Sequence, residues 1–505
     1  MIDQVITDRH GHYCILRITE RERQRLERHL FQRYPDREWG TFFRFGFRRV
    51  PWGIALSYVE ALWPEAGELN EESGITTFQS DYTLRAFRMV ERRDIALGVA
   101  HSHPRGGGTF PSELDDDMDG YFAEELSAYS AGMPYCSLIL QRSGASSFTF
   151  TGRVYDRGVW LPVREMLTIG GTLARERAED ELCIVQSMKG TATADRESTT
   201  ARLASVFGAA GQHRLAATTV GVIGCGGTGS PAIHVLARAG VGRFVLIDPE
   251  RLSPSNLERL HGSTSEDVCA AEPPYKVDVM SRMIRAINPI AEVIVLKLNA
   301  LDERALDELI CCDLVLGCVD TQHARVLLSD LAKHYLIPSM DLGVLMEGNA
   351  GQITSQIGEI TQYRPELPCA FCCGRIDFLA VSRELMDATE REQRIVAAQE
   401  AADRGEDAHQ YWAGEAPQLH TVGYLTTMLG SLAAGYAEGW LTGAFAMPHS
   451  CMQFDVGQPR FGFVAVPRQP RANCRCQDHV GWADQAAAVR NIALPDHWRA
   501  EFARR

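Results

Sequence analysis

The sequence predicts an α/β protein of two domains, the second built on a largely parallel sheet with helices on both faces. Three observations carry this expectation. Residues 220–260 read as strand, glycine turn, helix and strand; residues 96–126 read as a strand ending in two histidines, a glycine loop and an acidic helix start; and 505 residues exceed what one hydrophobic core usually organises.

In chain order, residues 20–33 are charged and helix-prone, and EWGTFFRFGF after them alternates as a strand does. The run ALGVAHSHPRGGGTFPSELDDDMDGYFAEEL follows, with a strand over 97–100 and His101 and His103 at its end. Residues two apart on a strand project to one face, so both imidazoles can reach one metal ion. The glycine loop 106–108 leads to Ser112, a helix N-cap by type, and Asp115 lies one turn further on the same side. Two histidines and a carboxylate leave a fourth position of a zinc ion open, as a catalytic site requires. Asp116, Asp117 and Asp119 read as a solvated acidic run favouring the helix start.

His-Ser-His-Pro, seven residues, then Ser-x-x-Asp resembles the motif of the JAMM (JAB/MPN) metalloproteases. The resemblance implies an α/β metallopeptidase domain over residues 1–169. It implies zinc on His101, His103 and Asp115, Ser112 stabilising an oxyanion, and an upstream glutamate as general acid/base. Glu38 has the best local context for that glutamate, and Glu60 and Glu65 compete with it. YCSLILQ and FTFTGRVY read as further strands, and the polar stretch 170–197 as a linker.

In VGVIGCGGTGSPAIHVLARAG, Gly224, Gly226, Gly227 and Gly229 allow a sharp turn and a close backbone approach to phosphates at a helix N-terminus. Asp248 ends the next strand, where a carboxylate can accept from ribose hydroxyls. Asn256, Arg259, Lys276 and Asp320 follow in order. Cations for phosphates plus a hard carboxylate for Mg²⁺ suit a triphosphate better than a redox coenzyme.

This ordered set resembles the ThiF, MoeB and ubiquitin-activating enzyme family over residues 196–476, implying a Rossmann-like, doubly wound adenylation domain at 198–480 and a tail at 481–505. By resemblance, Asp248 holds the ribose, Asn256, Arg259 and Lys276 contact phosphates, Asp320 positions magnesium, and Arg202 reaches the triphosphate of the other subunit of a homodimer. Where the family has glutamine after the arginine, this chain has Leu260.

Cys369 and Cys372, with Cys474 and Cys476 far downstream, suit a closed structural zinc site. The second pair is one residue tighter than the family's Cys-x-x-Cys, which leaves Cys373 and His479 as spare ligands. Residues 382–407 read as a solvated helix or a crossover loop. Family members that form a thioester place a cysteine there; none occurs from 374 to 450, and Cys373 and Cys269 are the nearest thiols.

A net charge of −14 argues against a nucleic-acid partner. The charge-free stretch 421–437, rich in Gly, Thr, Ser and Ala, reads as a buried helix rather than a membrane span. The start MIDQVITDRHGHYC lacks the pattern of a secretory signal, and fourteen cysteines suggest reduced thiols or metal ligands, so a cytoplasmic location is expected.

Together the resemblances imply an enzyme using ATP, Mg²⁺ and Zn²⁺ that adenylates the C-terminal glycine of a ubiquitin-like protein and cleaves after that terminus, with a conjugating enzyme as a further partner. An alternative with the same chemistry is activation of a sulfur-carrier protein for cofactor or amino-acid biosynthesis. A third class is a nicotinamide-dependent oxidoreductase, or a non-catalytic scaffold on the same folds.

Overall fold

The computed structural model describes residues 11–70, 77–90, 95–144, 147–179, 201–349, 352–405, 421–447, 449–457, 462–472 and 474–489. The chain forms two compact units. The first holds residues 1–199 together with 333–336 and 477–489; the second holds 200–332, 337–476 and 490–505.

In the first unit, β1 (Tyr13–Thr19), β2 (Trp39–Val50), β3 (Gly53–Leu62), β4 (Ala96–Ser102), β5 (Tyr135–Arg142), β6 (Phe148–Asp156), β7 (Val159–Ile169) and β8 (Leu173–Arg177) form one sheet in the order β1-β3-β2-β4-β5-β6-β7-β8. A parallel pairing of β1 with β7 closes it on itself. Helix α1 (Glu20–Leu30) is capped by Thr19, whose hydroxyl accepts from the Glu22 amide, and lays Leu26 and Leu30 into the core that includes Leu16, Phe43 and Phe150. Helices α2 (Ser80–Val90) and α3 (Glu113–Tyr129) share a second core with Phe42, Val99 and Tyr135. Neighbouring residues of β2 and β4 go to opposite cores, Phe42 and Val99 to one and Phe43 and Ala100 to the other, so these strands are buried on both faces.

Two expectations are corrected. Strand β8 lies inside the stretch expected to be a linker; LARER pairs antiparallel with β7, and its charged composition is that of an edge strand that must not recruit another chain. Asp119 is not solvated but fully buried, because its place on α3 turns it inward, where it accepts from Arg153 Nε at 2.8 Å and from the Tyr135 hydroxyl at 2.7 Å. Asp116 joins it, accepting from Arg153 Nη1 at 2.6 Å.

Residues 477–489 complete this unit. Gly481 and Trp482 run across β2 so closely that any side chain on Gly46 would meet the Trp482 carbonyl carbon at 2.2 Å. The Gly46 amide donates to Gly481, the Phe47 amide to Gln485 Oε1 at 2.8 Å, and Arg48 pairs with Asp484 at 3.2 Å.

The second unit contains α4 (Ala201–Ala216), β9 (Thr219–Ile223), α5 (Gly229–Arg238), β10 (Arg243–Ile247), the short α6 (Ser265–Cys269), α7 (Lys276–Ile287), β11 (Glu292–Leu296), α8 (Glu303–Leu309), β12 (Leu314–Gly317), α9 (Gln322–His334), β13 (Ser339–Asn349) and β14 (Gln352–Tyr363). It continues with α10 (Phe378–Glu384), α11 (Ala388–Asp403), α12 (Gly423–Thr442), β15 (Cys451–Asp455) and β16 (Phe463–Ala465). The sheet order is β11-β10-β9-β12-β13-β14-β15-β16, parallel from β11 to β13 and antiparallel beyond. The chain leaves β9 toward β10 on one side and returns to β12 on the other, so a crevice opens past the carboxyl ends of β9 and β12. Helix α12 lies on α5, α4, β13 and β14, with Leu425, Leu429, Ala433 and Trp440 buried. Among the described residues, no helix is long and apolar enough to cross a membrane.

Candidate active sites

In the first unit, β4 ends at Ser102 with His101 on its last turn-in and His103 just beyond. His101 Nε2 lies 3.1 Å from Asp115 Oδ1 and 3.3 Å from His103 Nε2, and His103 Nε2 lies 3.4 Å from Asp115 Oδ2. Tetrahedral zinc with bonds of roughly 2.0–2.1 Å separates its ligand atoms by about 3.3 Å, so the three atoms already have the spacing the ion requires. The His103 Nδ1 lies 2.9 Å from the Gly108 carbonyl oxygen. A ring that donates there presents its Nε2 lone pair to the site. Burial alone would raise the Asp115 carboxyl, but hydrogen bonds from both imidazoles and from the Ser112 amide outweigh it and hold the group well below the usual carboxylate range. Burial would lower His103, yet the Asp115 hydrogen bond and charge raise it overall, with Glu38 adding to the same sign.

Glu38 lines the cavity that has His101 and Asp115 in its wall. Glu60 instead pairs with Arg44 on β2, and Glu65 is an exposed loop residue whose amide donates to Glu68. Ser112 caps α3 in a reciprocal box with Asp115: its amide and its hydroxyl both reach Asp115 Oδ2 at 2.7 Å. Its hydroxyl proton therefore goes to the Asp115 carboxylate and not into the cavity, where the expected oxyanion role would need it. Sequence reading missed Arg153, which reaches from β6 to the Asp115 carbonyl at 3.4 Å while holding Asp116 and Asp119. An arginine in a strand of alternating burial was the available signal.

In the second unit, Gly224 follows β9 with φ of +89°, and a side chain there would meet the Cys318 carbonyl oxygen at 2.5 Å, so only glycine fits the turn. Asp248, just past β10, accepts from the Cys225 amide at 2.8 Å and the Glu250 amide at 2.9 Å. Each oxygen keeps a second lone pair for a ligand. Burial pushes the Asp248 carboxyl up, against the opposing pull of Lys276 and the two amides. Lys276 opens α7, buried and paired with Glu250. Asn256 is buried in a short 3-10 turn, its Oδ1 accepting from the Ser253 amide at 3.0 Å. Arg259 lies over the glycine turn, its Cδ 3.0 Å from where a Gly227 side chain would begin, and Leu260 is buried behind it. Asp320 is exposed, three residues beyond Gly317, which pairs with Ile223 at the end of β9. Glycine turn, Asp248, Arg259, Lys276 and Asp320 thus all follow carboxyl ends of β9, β10 or β12, or the loops just after them. Arg202 is exposed on α4.

The four sulfurs of Cys369, Cys372, Cys474 and Cys476 lie within 4.8 Å of one another, with Cys369 to Cys474 at 3.5 Å and Cys372 to Cys476 at 4.0 Å. Thiolates about 2.3 Å from a tetrahedral zinc stand about 3.8 Å apart, so the set fits the ion without a substitute ligand. Cys373 turns away, its sulfur 4.0 Å from the Pro368 carbonyl, and burial pushes its thiol up to about 12. Cys269 is exposed at the end of α6. Helix α11 is largely exposed, as the reading of 382–407 expected.

A buried charge cluster escaped sequence reading. Asp341 on β13 faces Arg325 Nε at 3.3 Å, Arg375 Nε at 3.5 Å and the Tyr363 hydroxyl at 3.4 Å, and Arg375 Nη1 lies 2.7 Å from Glu359. Its members are separated by up to 50 residues in the chain, so no local spacing announces them.

Comparison with known proteins agrees with the second unit. Residues 199–476 match the ThiF family. The chain is 38% identical over 125 residues to a sulfur carrier protein adenylyltransferase of Thermus thermophilus, covering 25% of this chain and 45% of that protein. It is 31% identical over 166 residues to a SAMP-activating enzyme E1 of Haloferax volcanii, covering 33% of this chain and 56% of that one. The matched regions thus span about half the length of these relatives. Among solved structures, E. coli MccB with MccA-N7isoASN aligns over 56% of this chain and 75% of its own at 17% identity, with a TM-score of 0.42. With more than half its length matched by that one family, the chain belongs to the ThiF family.

Proposed function

We propose that the second unit adenylates the C-terminal carboxylate of a small carrier protein of the sulfur-carrier or ubiquitin-like kind, with ATP·Mg²⁺ as co-substrate and pyrophosphate as leaving group. The observation that carries the reading is that Asp248 and Arg259 lie against the glycine turn of β9, Lys276 acts on Asp248, and Asp320 follows the end of the neighbouring β12. Asp248 would accept from the ribose. Arg259 and Lys276 would offset phosphate charge, with Asn256 ordering the turn just before Arg259, and Asp320 would hold the magnesium that arrives with the nucleotide. The carboxylate attacks the α-phosphate, so the step needs positioning and charge neutralisation and no protein nucleophile. Arg202 on α4 is the candidate to complete the site of a second copy.

The sulfur-carrier form is preferred to a conjugation pathway through a protein thioester. Cys373 is buried with a raised thiol, and residues 374–450 contain no cysteine. The name of one relative, the sulfur carrier protein adenylyltransferase of Thermus thermophilus, supports the same choice. ATP–pyrophosphate exchange with small proteins ending in Gly-Gly tests it. Exchange that depends on the carrier supports the reading, and its absence with every such carrier overturns it. Mass spectrometry of the Cys269→Ala and Cys373→Ala variants then separates the two forms, since a covalent carrier–enzyme thioester would sink the preference.

For the first unit we propose metal-dependent hydrolysis of a peptide or isopeptide bond. His101, His103 and Asp115 would hold zinc, which when bound supplies Lewis acidity and an activated water. Glu38, on the wall of the same cavity, would take and return the proton, and Ser112 orients Asp115 through its capping box. The four cysteines would hold a second, structural zinc. Zinc-dependent cleavage of a carrier fused through its terminus to a reporter tests this reading.

A further inference from the structure

A cavity of about 440 Å³ opens beside the His101–His103–Asp115 cluster, with His101, Asp115 and Glu38 in its wall at one end. Most of the rest of its wall comes from α2 and α3, with Thr77 and Phe78 just ahead of α2. From α2 it takes Ser80, Leu84 and Phe87, spaced as one helical face. From α3 it takes Leu114, Met118, Tyr121 and Glu125, again one face. The helices meet where Phe87 packs edge-on against Phe122 and beside Tyr129, and the cavity opens next to that contact.

Three of those side chains are open to solvent: Leu84 at 46%, Leu114 at 47% and Tyr121 at 55%. Large apolar groups gathered on one exposed surface mark a binding face more often than a random one. The volume falls in the range of sites that bury most of a small ligand. Among the described residues no lysine, arginine or lone histidine lines it; the charged groups are Glu38, Asp115 and Glu125, so an acidic occupant is disfavoured. Continuity with the metal-type cluster fixes what the occupant is: whatever sits there presents a bond to the end where His101, Asp115 and Glu38 stand.

We infer that the groove between α2 and α3 is a specificity subsite that takes a bulky apolar or aromatic side chain of a non-acidic peptide segment, next to the bond hydrolysed at the histidine end. The inference rests on the hydrolase reading of this unit and sharpens it. A tail made only of small residues would leave the exposed sides of Leu84, Leu114 and Tyr121 without apolar cover. The substrate is therefore a peptide with at least one large apolar residue near the cleaved bond. Filling an apolar pocket discriminates by roughly 10- to 200-fold.

The test uses the full-length, zinc-loaded protein and two families of fluorogenic peptides, one with Phe or Leu flanking the cleaved bond and one with Gly or Ser. The expected result is a kcat/KM at least about tenfold higher for the apolar family, expressed mainly in KM. In Leu84→Asp and Tyr121→Asp, both surface changes that should leave zinc content and melting unaltered, that ratio should fall toward one. Equal rates for both families in the wild type would overturn the inference and leave the hydrolase reading standing. If no peptide is cleaved, fluorescence anisotropy of the labelled peptides decides. Tight binding of the apolar family that Leu84→Asp weakens about tenfold supports the groove and sinks only hydrolysis, whereas no selective binding sinks the groove.

Discussion

The Nδ1 of His103 stands 2.9 Å from the carbonyl oxygen of Gly108, at the far end of the glycine loop. Five residues of chain thus fix the ring whose other nitrogen faces Asp115. The loop sets the orientation of that imidazole.

Two zinc ions per chain are therefore expected by elemental analysis. His103→Ala or Asp115→Ala should leave one, and Cys369→Ser or Cys476→Ser should remove the other. Loss of the cysteine-bound ion should also lower the melting temperature, since a structural site contributes folding free energy directly. An unchanged metal content in any of these variants would contradict the assignment of its site.

Arg153→Met is expected to destabilise the first unit by about 3–5 kcal/mol, because it strands the buried carboxylate of Asp119. Denaturant unfolding followed by a probe in that unit measures this. Arg153→Lys should recover part of the loss but not the paired geometry to Asp116 and Asp119.

Lys276→Ala and Asp320→Asn should each slow carrier-dependent ATP–pyrophosphate exchange by roughly 10²–10³-fold, the usual effect of removing one preorganised charge from a polar transition state. Circular dichroism should show both folded. The Lys276 change also frees Glu250, its present partner, so Glu250→Gln is the control that separates the loss of the cation from the release of the anion.

Glu438, on the buried side of α12, has its carboxyl pushed up to about 7 by burial. The folded state then holds a proton that the unfolded chain has released between about pH 4.5 and 7. Stability falls across that window and levels off above it. Glu438→Gln should flatten this dependence and stabilise the protein above pH 7 by on the order of 2 kcal/mol, read from urea unfolding at several pH values.

Much of this was legible in local spacing. His101, His103, Ser112 and Asp115 sit within fifteen residues, so one strand end and one helix start bring them together. The glycine turn and Asp248 belong to one crossover unit, and the four cysteines announce themselves by type. What escaped were pairings made across the sheet. Asp119 looked solvated because Arg153 lies 34 residues away, on a strand that only the folded sheet brings beside α3. The Asp341 cluster draws on α9, β13, β14 and the loop before α10, and β8 hid its pairing behind the charges an edge strand carries. Glu38 had an apolar strand behind it, but its place near the histidines follows from the pairing of Gly40 with His101.

The strip 477–489 that lies over Gly46 has a consequence for biogenesis. The N-terminal unit is begun first but not completed until late: on a ribosome its closing strip emerges roughly 280 residues after position 199, about 15–60 s later. Until then the surface around Gly46 and Phe47 waits uncovered, and a polypeptide stopped at residue 199 would keep it so. A stop anywhere before residue 477 therefore leaves an already translated unit without its closing strip.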